Sequence, residues 1–294
     1  MMPEPQSLAA TPPPPAATVE AELIQQVRDA IAREQLTLPT LPEVALSIRN
    51  AADDPDVSVQ SLAREIGKDP ALAARLIQIA NSPLMRGRAS VDSLNSAITR
   101  LGMDFVKNLV AGLLVEQMFL ATSEAIEQRM RKAWNHSVEV AAVSFVLAAR
   151  YTRLPPEQAM LAGLIHEIGC LPILTLAERH ADTAHNPAAL ERVIRNLHPK
   201  LGVEILRAWD FPVDLAEMPV RYANFGRKHE GDADYADLIS VANLYVWQQS
   251  QHRHPVKWQT VPAVAKLGIA TDAEELTLPD ELIAQIEETR SLLQ

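Results

Sequence analysis

The stretch GKDPALAARLIQIANSP, residues 67–83, decides the fold class. Asp69-Pro70 is a helix-start pair: a carboxylate that caps free backbone N–H groups, then a proline whose missing N–H is harmless at the first helical position. Leu72, Leu76 and Ile79 follow at spacings of four and three, one apolar stripe of a helix. Asn81-Ser82-Pro83 stops it. No period-two alternation of a half-buried strand runs through it.

The same grammar extends in both directions. Upstream, Ser58 caps a short helix carrying Leu62, Ala63 and Ile66, and Gly67 forms the turn. In LTLPTLP (36–42), Pro39 and Pro42 interrupt helix, and Pro42 opens one bearing Val44, Ile48 and Ala51. Thr18 is placed to cap a helix with Leu23, Val27, Ala30 and Ile31. Downstream, Ile98, Leu101, Phe105, Leu109 and Leu113 keep helical spacing, as do Val140, Val143 and Leu147 up to Leu154-Pro155-Pro156. Pro156 opens a helix through Leu161, Leu164, Ile165 and Ile168. Further helical patterns cover 188–209, 213–224, 234–250, 257–267 and 279–293. The chain is predicted all-α, with roughly 12 to 14 helices.

Six of the 21 prolines fall before residue 21, and Pro12 to Pro15 favour extended polyproline. Residues 1–17 are read as a disordered tail, with docking to a proline-reading partner as the alternative. An N-terminal helical lobe is expected over 18–122, a second over 123–254 and C-terminal helices over 255–294. Two lobes or one fused domain both fit.

Composition narrows the classes. Apolar residues are 48% of 294, aromatics 4%, and there are 10 glycines, an aliphatic composition suited to helices rather than a turn-rich β-sandwich. The net charge of -10 argues against nonspecific grip on a polyanion. Cys170 is the sole cysteine, which excludes an intramolecular disulfide and a cysteine-only metal site. MMPEPQSLAA lacks the basic start and apolar stretch of a signal peptide. The densest apolar run, Leu109–Val115, is far shorter than the about 20 residues of a membrane span. A cytoplasmic protein without membrane contact is expected.

The segment SVQSLAREIGKDPALAARLIQ (58–78) also has the outline of a helix-turn-helix. Residues 58–88 hold five basic and two acidic side chains, against the sign of the whole chain. Arg64, Arg75 and Arg86 are the candidate nucleic-acid contacts. Packing within a bundle accounts for the same pattern and is preferred, because DNA reading needs an exposed basic face.

Chemistry-bearing residues gather in the second half: His136 in WNHS, His166-Glu167 in LIHEIG, His198 in NLHPKLG and Asn243 in VANLY. Imidazoles and a carboxylate on separate helices can converge on one divalent metal. Read singly, each has a plainer role. His136 and His166 suit core histidines bonded to backbone carbonyls or to each other. Asn243 suits a half-buried polar contact and His198, before Pro199, a capping or exposed position. Cys170 suits a buried small hydrophobe, and His252 and His254 a solvated loop.

With these residues in place, the chain resembles the HD superfamily of metal-dependent phosphohydrolases, and more closely its HDOD branch, over roughly residues 35–250. LPTLPEVALSI (38–48), DPDVSVQSLA (54–63), residues 67–83 and SLNSAITRLG (93–102) carry the HDOD likeness. It implies an HD-like helical bundle with an N-terminal helical lobe. It also implies metal-site positions at His136, His166, Glu167 and Asn243. At two of these the chain departs from the catalytic pattern: Glu167 stands for the Asp of the His-Asp pair, and Asn243 for the closing Asp. Cys170 stands where related phosphodiesterases often carry Lys. The later His-His pair is replaced within VRYANFG, at Ala223 and Asn224.

Replacing carboxylate by amide at Asn243 removes a full negative charge from a site that must offset a divalent ion. The resulting expectation is a non-catalytic regulatory HDOD protein, a scaffold that binds signalling proteins or senses a ligand. No cofactor is expected, although a divalent metal stays an option. The rivals are a residual metal-dependent phosphohydrolase acting on nucleotides or cyclic dinucleotides, and a DNA-binding regulator working through residues 58–88.

Overall fold

The structure is a computed structural model of the 294-residue chain. It describes residues 24–25, 29, 39–53, 58–85, 87, 89–119, 123–178, 187–250, 256–269 and 275–294. The tail 1–17, the Thr18 cap, Arg86, His252 and His254 lie outside the described residues.

Among the described residues every regular element is helical. In chain order these are α1 (Glu43–Asp53), α2 (Val59–Ile66), α3 (Pro70–Ala80), α4 (Leu94–Leu101) and α5 (Met103–Glu116). Then come α6 (Glu124–Tyr151), α7 (Pro156–Ile165), α8 (Cys170–Glu178), α9 (Pro187–Ala208), α10 (Val213–Ala216) and α11 (Met218–Tyr222). The chain closes with α12 (Tyr235–Gln249), a 3₁₀ turn (Trp258–Thr260), α13 (Pro262–Lys266) and α14 (Asp280–Leu293).

The caps act as their chemistry requires. Ser58 Oγ accepts from the Ser61 N–H at 3.1 Å. Asp69 Oδ1 accepts from the Ala71 and Leu72 N–H groups at 3.0 and 3.1 Å, with Pro70 opening α3. Asn81 does more than stop that helix. Its amide accepts from the Val91 N–H at 2.9 Å and donates to the Val91 carbonyl at 2.7 Å, while Arg100 donates to the carbonyls of Ala80 and Ala89. The connection to α4 is thereby fixed at both ends.

Helix α6 is the spine. Its 28 residues span about 42 Å and pack against α7, α8, α12 and α14. Two glycines let neighbouring helices approach. A Cβ on Gly163 would lie 2.3 Å from Ala141 Cα, and one on Gly112 would lie 2.2 Å from Leu164 Cδ1. Helices α5, α6 and α7 therefore meet at van der Waals contact, and one apolar cluster runs from Leu41 to Leu293 across the expected lobe boundary.

The stretch Pro156–Glu178 is long and apolar enough to span a membrane by length and composition, a property that counting uninterrupted apolar runs misses. Most of its residues are buried within the fold, so the core already satisfies its apolar surface.

Two local expectations need correction. The helix opened by Pro156 ends at Ile165, and residues 166–169 form a tight turn whose short bonds run from Ile168 N–H to Ile165 O and from Cys170 N–H to Glu167 O. His198 is neither a cap nor exposed. Helix α9 continues through Pro199, and His198 is buried in its interior. Proline removes one backbone donor, and tertiary packing on both sides keeps the helix intact.

A closed histidine cluster

The turn 166–169 positions the centre of the candidate site. Gly169 allows it to press on α9: a Cβ there would lie 1.9 Å from the His198 carbonyl oxygen. His166, fully buried, donates its Nδ1 proton to the Gly163 carbonyl at 2.7 Å. Its Nε2 then carries a lone pair, and it has no hydrogen-bond partner. Burial disfavours the charged ring most, pushing its pKa down to about 4.

His136 projects from α6 beside it, with ring centroids 5.5 Å apart. Its Nε2 lies 2.9 Å from Asn243 Oδ1 on α12. Asn243 Nδ2 donates to the Ile239 carbonyl at 3.0 Å, which fixes the amide orientation. Oδ1 can only accept, so His136 Nε2 carries the proton. Asn243 is 1% exposed, correcting its expected half-burial. The His136 ring stacks on Trp247, centroids 6.2 Å apart and planes within 8°.

On the other side stands Tyr222. Its ring meets His166 edge-on at 5.1 Å, and its hydroxyl lies 2.8 Å from His198 Nε2. His198 Nδ1 donates to the Ile194 carbonyl at 2.8 Å, so the phenol is the donor to Nε2. Burial pushes the Tyr222 phenol well up and the His198 imidazole down, so both are neutral. Glu167 resists ionisation through its burial. The facing His136 and the Arg129 guanidinium outweigh this and hold its carboxyl below the usual range. Cys170 is buried, and burial followed by the Glu167 charge raises its thiol far above the ordinary value, as expected of an inert small hydrophobe.

Donor atoms of His136, His166 and Glu167 lie within 4.8 Å of one another, a spacing one divalent ion can bridge. The donor chemistry fits such an ion poorly. His136 turns a protonated nitrogen toward Asn243, the amide supplies no charge, and Glu167 is the single carboxylate of the group. Ala223 and Asn224 are exposed, and Tyr222 beside them packs its ring against His166.

A family model for the HDOD domain matches residues 38–224. The chain belongs to the HDOD family. A solved structure from Shewanella amazonensis SB2B, provisionally named a metal-dependent phosphohydrolase, is similar with a TM-score of 0.84 at 28% identity, covering 94% of this chain and 100% of that one. An HDOD domain protein of unknown function from Geobacter sulfurreducens has a TM-score of 0.65 at 19% identity, covering 94% and 98%. An uncharacterized protein of Treponema pallidum (strain Nichols) is 23% identical over 223 residues, 71% of this chain. The HDOD chain spans 42% of the length of that curated relative.

Of the helix-turn-helix candidates, Arg64 and Arg75 are described in the HDOD fold. Arg75 turns inward, its guanidinium donating to the Leu293 carbonyl at 2.7 Å and pairing with Glu116 at 3.3 Å. Arg64 is exposed, and Arg86 lies outside the described residues.

Sequence reading missed Tyr222 and Arg129 as members of the site and gave His198, which it named, a capping or exposed role. Arg129 sits two helical turns before His136 on α6. His198 lies on the inward stripe of Ile194, Leu201 and Ile205, so the periodicity of α9 held the signal. It also missed a second polar cluster. His229 Nε2 lies 2.7 Å from Asp237 Oδ2, Asp234 and Asp237 form the capping box of α12, and Arg227 and Lys266 supply the balancing cations. That cluster is an ion-pair network at a helix start, and its Asp-x-x-Asp spacing was legible.

Proposed function

We propose that this HDOD chain is a non-catalytic regulatory protein, a scaffold that senses a ligand or engages a signalling protein in place of hydrolysing a phosphoester. One observation carries the reading: the 2.9 Å contact between His136 Nε2 and Asn243 Oδ1. A hydrolytic site needs these two positions turned to the metal, with charge to bind it and activate its water. Here the amide oxygen of Asn243 and the Nε2–H of His136 satisfy each other. If an ion were bound, His166, Glu167 and His136, whose Nδ1 keeps its lone pair, would hold it, and it would supply Lewis acidity.

Elemental analysis of protein purified without chelator tests this, combined with a phosphodiesterase assay after adding Mn, Fe, Zn or Mg. Substoichiometric metal and no turnover are expected. One tightly held ion per chain, with turnover abolished by His166→Ala, would establish the phosphohydrolase instead, the activity for which the Shewanella relative is named.

A further inference from the structure

The cluster around His166 holds acceptors without donors. His136 Nε2–H is engaged by Asn243, the Tyr222 hydroxyl by His198, and His166 Nδ1–H by Gly163. Arg129 faces Glu191 as an ion pair. Left over are the buried, unpartnered Nε2 of His166 and the carboxylate of Glu167 on the adjacent residue, with the Nδ1 lone pair of His136 beside them. An unpaired acceptor at 0% exposure is costly, and an occupant that donates hydrogen bonds relieves it.

The missing group therefore donates protons and carries positive charge. We propose that this cluster binds a primary ammonium group, presented by a small amine or by a lysine side chain. This rests on the reading of the site as a metal-free sensing site. Two N–H donors diverging tetrahedrally, each about 2.8 Å from its acceptor, reach acceptors about 4.6 Å apart. A ring nitrogen of His166 and a carboxylate oxygen of Glu167 lie within 4.8 Å. The rings around them suit the same occupant. Trp247 stacks on His136 and meets Phe225 at 5.8 Å, offering aromatic surface to the methylenes and to the cation. Glu167, His136, Trp247 and Phe225 are each partly exposed, so the group can enter from solvent.

Calorimetry on the full chain, stripped of metal with a chelator, tests the proposal with n-butylammonium and with Nα-acetyl-lysine amide. Saturable one-to-one binding of either probe is expected. Butylammonium binding assigns the site to free amines, and binding of the lysine probe alone assigns it to a partner's side chain. Tetramethylammonium, which keeps the charge and lacks N–H donors, should bind roughly tenfold more weakly or worse. Glu167→Gln, with an unchanged unfolding midpoint, should lose binding to a similar degree. The ¹⁵N resonance of His166 Nε2 should move on saturation as its lone pair is engaged. Absence of saturable binding, or Glu167→Gln binding as tightly as wild type, overturns the ammonium site. If metal stays substoichiometric in those experiments, the scaffold reading survives that failure. A stoichiometric metal with turnover removes both.

Discussion

Gly169 lies against the backbone of His198 so closely that a Cβ on the glycine would come within 1.9 Å of the His198 carbonyl oxygen and 2.6 Å of the Gly202 nitrogen. The neighbours in contact are backbone, which cannot rotate away as a side-chain tip does. The contact locks the His166-Glu167 turn onto the helix bearing His198. Gly169→Ala must separate α9 from the turn and should cost roughly 3 kcal/mol or more. Urea unfolding should show a sharply lowered midpoint, and Gly202→Ala, facing Pro219 side-chain carbons at 3.1 Å, a smaller loss.

His166 makes stability depend on pH. The unfolded histidine titrates near 6.5, and burial lowers the folded value to about 4. Between those values the unfolded chain binds more protons. Stability is therefore complete above about pH 6.5 and falls as the pH drops toward 4. The shift corresponds to about 3 kcal/mol for this fully buried group. Denaturation midpoints measured across that range should slope for the wild type, and His166→Gln should flatten the slope.

The end of α9 offers a gain. Phe211 N–H bonds to Leu206 O and Asp210 N–H to Arg207 O, both at 3.0 Å, the paired bonds of a Schellman ending. Asp210 occupies the left-handed position with φ 55°, where a Cβ is strained. Asp210→Gly should raise stability by about 0.5 kcal/mol, read as an increase in unfolding midpoint at unchanged denaturant slope.

Helix existence was legible because caps and stripes are local. Asp69-Pro70, Ser58 and Pro156 each act where the sequence places them. The site was legible in membership at His136, His166, Glu167 and Asn243, through resemblance rather than periodicity. Its closure was not. That Asn243 would face His136 across 107 residues, and that Tyr222 would stand between His166 and His198, depends on how α6, α9, α11 and α12 pack. His198 was misread because Pro199 usually signals a helix start, a local rule overridden by packing on both sides of α9.

Arg75 joins the N-terminal helices to the C-terminus through the Leu293 carbonyl and Glu116. Arg75→Ala should loosen α14, costing about 1 kcal/mol because the group is partly exposed. Amide hydrogen exchange across 280–293 should accelerate in the variant. A DNA gel shift at low salt should be flat for variant and wild type alike. Salt-sensitive binding that falls with Arg75→Ala and Arg64→Ala would instead restore the DNA-binding reading.

Asn243→Asp tests whether one amide keeps this site from holding a metal. The variant restores the missing negative charge at a position already 2.9 Å from His136 Nε2. A carboxylate there can accept the His136 proton in the empty state and turn to an ion together with His166 and Glu167. Affinity for Mn²⁺ or Zn²⁺ should rise at least ~10-fold over wild type, read by calorimetry. Turnover should still be absent, because the Tyr222 ring packs against His166. Adding Glu167→Asp shortens the carboxylate by one methylene and should change affinity again. If Asn243→Asp binds metal no better than wild type, the closed hydrogen-bond geometry, rather than the missing charge, excludes the ion.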